Sequence, residues 1–171
     1  KFMVYEAKPA DSKQVEEIIR TAIAESVPQN LSEETANFLL KLHNKECIKE
    51  EILHKNVYLL ESNGYLIGTG TLSNHEIKRV FILPQYQGQH FGTELVQCLD
   101  DELAVNELFT AVVYAYEQVK SWYGRMGYVV TGEQPVEIGG EKLLLYRMEK
   151  QVAAMNMEHF YQGFMFSKNR A

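Results

Sequence analysis

Val80–Leu95, VFILPQYQGQHFGTEL, is the stretch whose reading decides the fold. A β-branched and aromatic run stops at Pro84, a polar loop follows with Gly88 and Gly92, and an amphipathic helix sets in near Phe91. Leu95, Val96, Leu99 and Leu103 are spaced to give that helix one buried face. A strand that feeds a glycine-containing loop at a helix N-terminus presents unpaired backbone N–H groups and the positive dipole end, an arrangement that binds phosphate or pyrophosphate. Gln87 and Gln89 add neutral donors. A packed loop that binds nothing has the same composition, so the loop alone leaves both readings open. No Gly-Lys-Ser/Thr follows, which excludes a Walker loop, and Gly88 to Gly92 does not satisfy GxGxxG spacing.

Upstream of this stretch, an apolar run from Phe2 to Tyr5 leads through Pro9 to Asp11, with Gln14 three residues later, the pattern of a capping box opening a helix. Val15, Ile18, Ile19, Ala22 and Ile23 share its apolar face. Beyond Pro28, Ser32 reads as the N-cap of a second helix running through Phe38, Leu39, Leu42 and Ile48 toward Leu53. Val57 to Glu61 and Tyr65 to Leu72 form a hairpin through Ser62, Asn63 and Gly64, and a third strand spans Ile77 to Leu83.

Downstream, Leu108 to Tyr114 reads as a central strand covered on both faces. A short helix from Val119 to Met126 stops at Gly127. Tyr128 to Thr131 and Leu143 to Met148 make a late strand pair with a Gly139-Gly140 turn. The order is that of one mixed α/β layered domain, with no repeat and no linker.

Composition narrows the function classes. The 171 residues are 46% hydrophobic and 23% charged, with a net charge of -6, which argues against nucleic-acid backbones as partners. No apolar run approaches the roughly 20 residues that cross a bilayer, and the N-terminus reads without a signal-peptide core, so no membrane partner is expected. Cys47 and Cys98 each stand alone in a helical pattern, which points to a reducing cytoplasm, with Cys98 a small hydrophobe beside Leu95 and Leu99. His43, His54, His90 and His159 have no metal-ligand spacing, so no metal is expected.

With these residues in view, the sequence resembles the GNAT superfamily of acetyl-CoA-dependent N-acyltransferases. Their Gln/Arg-x-x-Gly-x-Gly/Ala signature is matched by Gln87, Gly88, Gln89, His90, Phe91 and Gly92, with His90 where the family usually has glycine. What the loop needs at His90 is a backbone N–H, which any non-proline residue supplies if its dihedrals stay helical. Val80, Phe81 and Ile82 look like the family strand whose backbone pairs with the pantetheine arm. A second match, SWYGRMGY from Ser121 to Tyr128, is similar to the family segment whose tyrosine protonates the departing thiolate, here Tyr123. Tyr116 stands where the family often has a CoA-contacting Asn. The resemblance implies an α+β fold: a mixed, mostly antiparallel sheet flanked by helices, with a splayed pair of central strands.

The resemblance also implies acetyl-CoA as cosubstrate and direct transfer to a primary amine in a ternary complex. An amine of pKa near 10.4 must lose a proton before it attacks, and Glu76, at the head of the strand before the loop, matches the glutamate base of a subset of these enzymes. His75 is the alternative base, and a solvated strand-end carboxylate is the plain reading of Glu76. The acceptor is a small-molecule or peptide amine with no motif to identify it. A CoA-binding module without catalysis is the reading from another class. Residues 1–150 are expected to form the catalytic domain. Residues 151–171, rich in Met and aromatic side chains, are expected to continue as a helix from about Gln151 to Tyr161 that covers an apolar patch, with a homodimer contact or a cap over the acceptor site as the sharper alternatives. A protein of net charge -6 can still hold a polyphosphate, because backbone N–H groups and a helix dipole do the binding.

Overall fold

The computed structural model describes residues 1–26 and 32–152. In chain order it contains β1 (Phe2–Glu6), α1 (Ser12–Ser26), α2 (Glu33–Leu42), α3 (Lys45–Leu53), β2 (Val57–Ser62), β3 (Tyr65–Ser73) and β4 (Glu76–Ile82). There follow α4 (Phe91–Val105), β5 (Thr110–Ala115), α5 (Glu117–Arg125), β6 (Val129–Ile138) and β7 (Glu141–Gln151). The strands form one sheet of order β1-β2-β3-β4-β5-β7-β6. Every neighbouring pair is antiparallel except β4 and β5, which are parallel and joined through the α4 crossover. The mixed, mostly antiparallel sheet flanked by helices is the fold that the sequence resemblance implies.

Each face of the sheet has its own core. On one, α1, α2 and α3 bury Val15, Ile18, Ile19, Leu39, Ile48 and Ile52 against Tyr5, Val57 and Leu59. On the other, α4 lays Leu95, Val96, Leu99 and Leu103 on Leu60, Ile67, Ile77 and Val113, and Tyr123 of α5 joins them. The helical spacing of these side chains on α1 and α4 is what the sequence shows, and burying them supplies most of the stabilisation. Among the described residues, no helix is long and apolar enough to cross a membrane.

Several elements differ from expectation for identifiable reasons. Asp11 stands immediately ahead of α1, and one of its carboxylate oxygens accepts from the Lys8 N–H at 2.8 Å, closing the turn before the helix. The single helix expected from Ser32 to Leu53 is two. Ser32 caps α2 as expected, but Asn44 accepts from Cys47 N–H at 2.9 Å and starts α3, leaving His43 at the break. Asparagine is among the best N-caps, and here its cap outcompetes helix continuation. Pro28 lies outside the described residues.

The C-terminal half differs too. β5 starts only at Thr110, with Leu108 and Phe109 exposed, and Tyr114 opens onto a cleft, so this strand is not covered throughout. The late strand pair runs much longer than its apolar stretches, because β6 and β7 leave most side chains to solvent and carry no alternating apolar signal. Pro135 sits within β6, which is tolerated because β6 is the sheet edge. Gln151 still belongs to β7 and does not open a helix, and Val152 is buried with its N–H on the Phe109 carbonyl at 3.0 Å. The rest of the expected C-terminal helix lies outside the described residues.

The β6–β7 hairpin tip docks on α2. Glu141 accepts from the Ser32 N–H at 2.8 Å at the positive end of the helix, and Thr35 donates its hydroxyl to the Ile138 carbonyl at 3.2 Å. Gly139, at φ +56°, lies so close that a Cβ there would meet Thr35 Cα at 2.9 Å. Gly140 also has positive φ, but open space surrounds it. Gly139→Val is therefore expected to lower unfolding free energy by about 1–3 kcal/mol through strain and clash. Gly140→Val is expected to cost less. Urea titrations of both variants check the ranking through their midpoints.

Candidate active site

β4 and β5 share a single registered pair, Glu76 opposite Val112, and then separate. At this apex the Val112 N–H also donates to the His75 carbonyl at 2.8 Å. β4 is also bent. Its register with β3 shifts between Thr69 and Thr71, so that Arg79 and Val80 lie in a bulge, with Arg79 at φ +53°. The divergence opens a cleft of about 900 Å³ that passes between the two faces of the sheet. Phe91, Gly92, Val119, Trp122, Tyr123 and Met126 wall it on the α4–α5 face, and Ala22, Ile23, Leu39 and His43 on the face of α1 and α2. Glu76, Val80, Phe81 and Ile82 line it from β4.

The loop after β4 forms one rim. Gln87 Nε2 donates to the Ile82 carbonyl at 3.0 Å and Gln89 Nε2 to the Gln85 carbonyl at 3.3 Å. These amides, read from sequence as ligand donors, are engaged in holding the loop, and Gln89 is not in the cleft wall. Gly88, at φ +76°, has no atom within 4 Å of where a Cβ would stand, so the rim there is open. Gly92 lies close under Trp122, whose Cζ2 would meet a Cβ at 3.0 Å. The first N–H groups of α4 precede its hydrogen-bond ladder, which begins with Glu94 N–H on the His90 carbonyl at 3.0 Å.

His90 departs from expectation in its backbone. It caps α4 at φ +68° and ψ +8°, in the left-handed region and not in the right-handed helical one. That is the conformation glycine adopts freely and other residues adopt at a cost of roughly 1 kcal/mol or more. His90→Gly is expected to raise the melting temperature by several degrees, measured by calorimetry. A fall would show that the imidazole makes a compensating contact.

Tyr123 is only 8% exposed and rests edge-on against Trp122 and Tyr128, with ring centroids 4.8 and 5.5 Å away. Behind it lies a polar network that sequence reading missed. Tyr128 donates its hydroxyl to Asp100 Oδ1 at 2.5 Å, and Lys150 Nζ donates to Asp100 Oδ2 at 2.8 Å. The available signal was an acid, Asp100, on the same helical face as Val96 and Leu103. Burial, then the Asp100 charge, holds the Tyr123 phenol well above its ordinary pKa, so it keeps its proton. Burial also raises Asp100 itself, against the opposing pull of Lys150 and Tyr128.

Asp101, beside it, is pushed up to about 7 by burial and by Asp100. A carboxyl whose folded pKa lies above its unfolded value contributes stability below the unfolded pKa, near 4, and loses it as pH rises to the folded value. The stability of the natural protein relative to Asp101→Asn is therefore expected to fall between about pH 4 and pH 7. Urea titrations of both proteins at pH 4.5 and 7.5 check the sign.

Among the remaining expected residues, Tyr116 N-caps α5 and lines the cleft, its phenol raised by burial. His75 is outside the wall, which leaves Glu76 as the carboxylate at the apex. Cys98 packs against the α4 core, and burial followed by Asp101 pushes its thiol up to about 12, an inert environment. Among the wall residues that were not foreseen, two carry polar chemistry from the helices. Arg125 brings a cation from the last turn of α5, and His43 stands at the break between α2 and α3. Among the described residues, no group of three or more His, Cys, Asp or Glu side chains is placed to hold a metal ion.

A sheet splayed at one parallel pair, with a helix N-terminus at the rim of the resulting cleft, is the architecture of this site. The chain belongs to the GNAT acetyltransferase family: residues 22–152 match the model of the acetyltransferase (GNAT) domain. Its fold is similar to that of a GCN5-related N-acetyltransferase from Rhodopseudomonas palustris, with a TM-score of 0.77, 21% identity, and coverage of 86% of this chain and 94% of that one. The PaiA N-acetyltransferase of Thermoplasma acidophilum, solved in complex with coenzyme A, is similar at a TM-score of 0.74 and 18% identity, covering 88% and 99%. YncA, a putative acetyltransferase of Salmonella typhimurium solved with its cofactor acetyl-CoA, reaches 0.64 and 19%, covering 91% and 96%. No curated protein matches in sequence.

Proposed function

We propose that this protein transfers the acetyl group of acetyl-CoA to a primary amine by direct attack in a ternary complex. The observation that carries the reading is the through-sheet cleft at Glu76 and Val112, with a helix N-terminus on its rim and a protonated tyrosine in its wall. The cosubstrate fits the residues present. The open rim at Gly88 and the first N–H groups of α4 suit a pyrophosphate, while the β4 backbone beyond Glu76, unpaired with β5, suits the amides of a pantetheine arm. Acetyl-CoA supplies an acetyl group activated as a thioester.

Glu76, at the apex, accepts the proton that the attacking amine must lose. Tyr123 hydroxyl donates to the departing sulfur, and its raised pKa ensures that it arrives protonated. The apolar walls around Trp122 and Leu39 exclude water from the thioester. The same reading assigns residues 1–150 to the catalytic domain and 151–171 to an extension of it, and free Cys47 and Cys98 fit a reducing compartment such as the cytoplasm.

Release of CoA from acetyl-CoA, followed with a thiol reagent across a panel of primary amines, tests the proposal. Tyr123→Phe is expected to lower kcat by roughly 10²–10⁴-fold while calorimetric CoA binding persists. Glu76→Gln is expected to lose most at pH 6 and to recover toward pH 9.5, where free amine becomes abundant without a base. Binding of CoA with no turnover in any form would favour the non-catalytic module, and absence of both binding and turnover would overturn both readings.

A further inference from the structure

Beside Lys78 and Arg79 of β4, which also line the cleft, the wall on the face of α1 and α2 holds a neutral polar donor that the transfer chemistry leaves unused. His43 lies at the α2–α3 break with its ring edge-on to Phe81, centroids 5.8 Å apart, and its Nδ1 accepts from Arg79 Nε at 2.9 Å. A guanidinium only donates, so Nδ1 bears the lone pair. Burial, then the nearby Arg79 charge, lowers the imidazole pKa to about 4, so the ring is neutral and its single proton is on Nε2. Among the described residues, no acceptor meets that Nε2–H, although the ring lines the cleft.

The donor is rigidly held. Arg79 is set by the left-handed bulge of β4 and by Glu51, whose Oε2 accepts from Nη1 at 3.3 Å. Lys78 Nζ lies 3.9 Å from the same carboxylate oxygen, so two cations share one anion behind the imidazole. Around it, Ala22, Ile23 and Leu39 are apolar. This half of the cleft therefore offers a fixed neutral N–H backed by excess positive charge. It suits an oxygen that accepts a hydrogen bond and disfavours a second ammonium group.

We propose that the amine acceptor carries a carbonyl or carboxylate oxygen besides its amino group, and that His43 Nε2–H receives that oxygen. His43 is thereby a specificity-determining residue, and substrates of the amino acid or amino-acyl amide type are selected over plain alkylamines and polyamines. This rests on the transfer reading above.

The test compares leucine amide, leucine, isoamylamine and spermidine as acceptors in the CoA-release assay. The oxygen-bearing amines are expected to exceed isoamylamine and spermidine by about tenfold or more in kcat/KM, the effect of one well-placed hydrogen bond. His43→Phe keeps the ring contact with Phe81 and is expected to erase that preference by slowing only the oxygen-bearing amines. His43→Gln keeps an N–H donor and is expected to restore part of it. Leucine amide against leucine separates a carbonyl from a carboxylate. Equal turnover of all four amines, a preference for spermidine, or a preference that survives His43→Phe would overturn the inference while leaving acetyl transfer intact. No turnover with any amine would remove the transfer reading and this one with it.

Discussion

One backbone pairing governs the molecule: the registered pairing of β4 with β5 is that of Glu76 with Val112. Parallel strands normally continue in register and satisfy each other's N–H and C=O groups. Here the ladder stops after one pair, so the sheet is held together along its two flanks by antiparallel ladders and is open in the middle. The two halves are bridged on one face by the core under α4 and α5, which joins Leu60, Ile67 and Ile77 on one side of the opening to Val113 and Met148 on the other. The cleft exists because the two strands part beyond that pair, inside the protein.

The polar groups near this opening are arranged to stay where they are. Asp100 is nearly inaccessible, and it is held by one phenol and one ammonium, an arrangement that compensates a buried charge only while both partners remain. Tyr123 leans on that network through Tyr128. On the opposite face, Arg79, Glu51 and Lys78 form a second cluster behind His43. The two clusters flank the opening from different faces, and the strained backbone at Arg79 and His90 lies at the turns that aim the chain into it.

How much of this the sequence discloses depends on how local the cause is. The β4–loop–α4 unit is legible because its determinants are adjacent: an apolar strand, Pro84, two glycines and a helical face from Leu95 onward. The Asn63-Gly64 hairpin is legible for the same reason. The length of β6 and β7 is not, since most of their side chains face solvent and no apolar alternation marks them. The split of one helix into α2 and α3 turns on whether Asn44 caps or continues, a balance of about 1 kcal/mol. Glu76, Tyr116 and Tyr123 were found through the family resemblance, and the cleft brings them together. His43, Arg125 and the Asp100 network were missed because their roles arise from residues such as Arg79 and Lys150, distant in the chain.

The docking of the β6–β7 hairpin on α2 bears on when the site comes into being. Ser32 and Thr35 wait for Glu141 and Ile138, more than a hundred residues further along the chain. Contacts of such sequence separation carry a loop-closure cost that local ones do not, and they form late. As the chain leaves the ribosome, α2 can already pack Leu39 against α1, α3 and the early strands, but the contacts at its N-terminal end wait until the last two strands have been made. The contacts that fix the N-terminal end of α2 are thus among the last to form, after the β4–loop–α4 unit has already been able to assemble from neighbouring sequence.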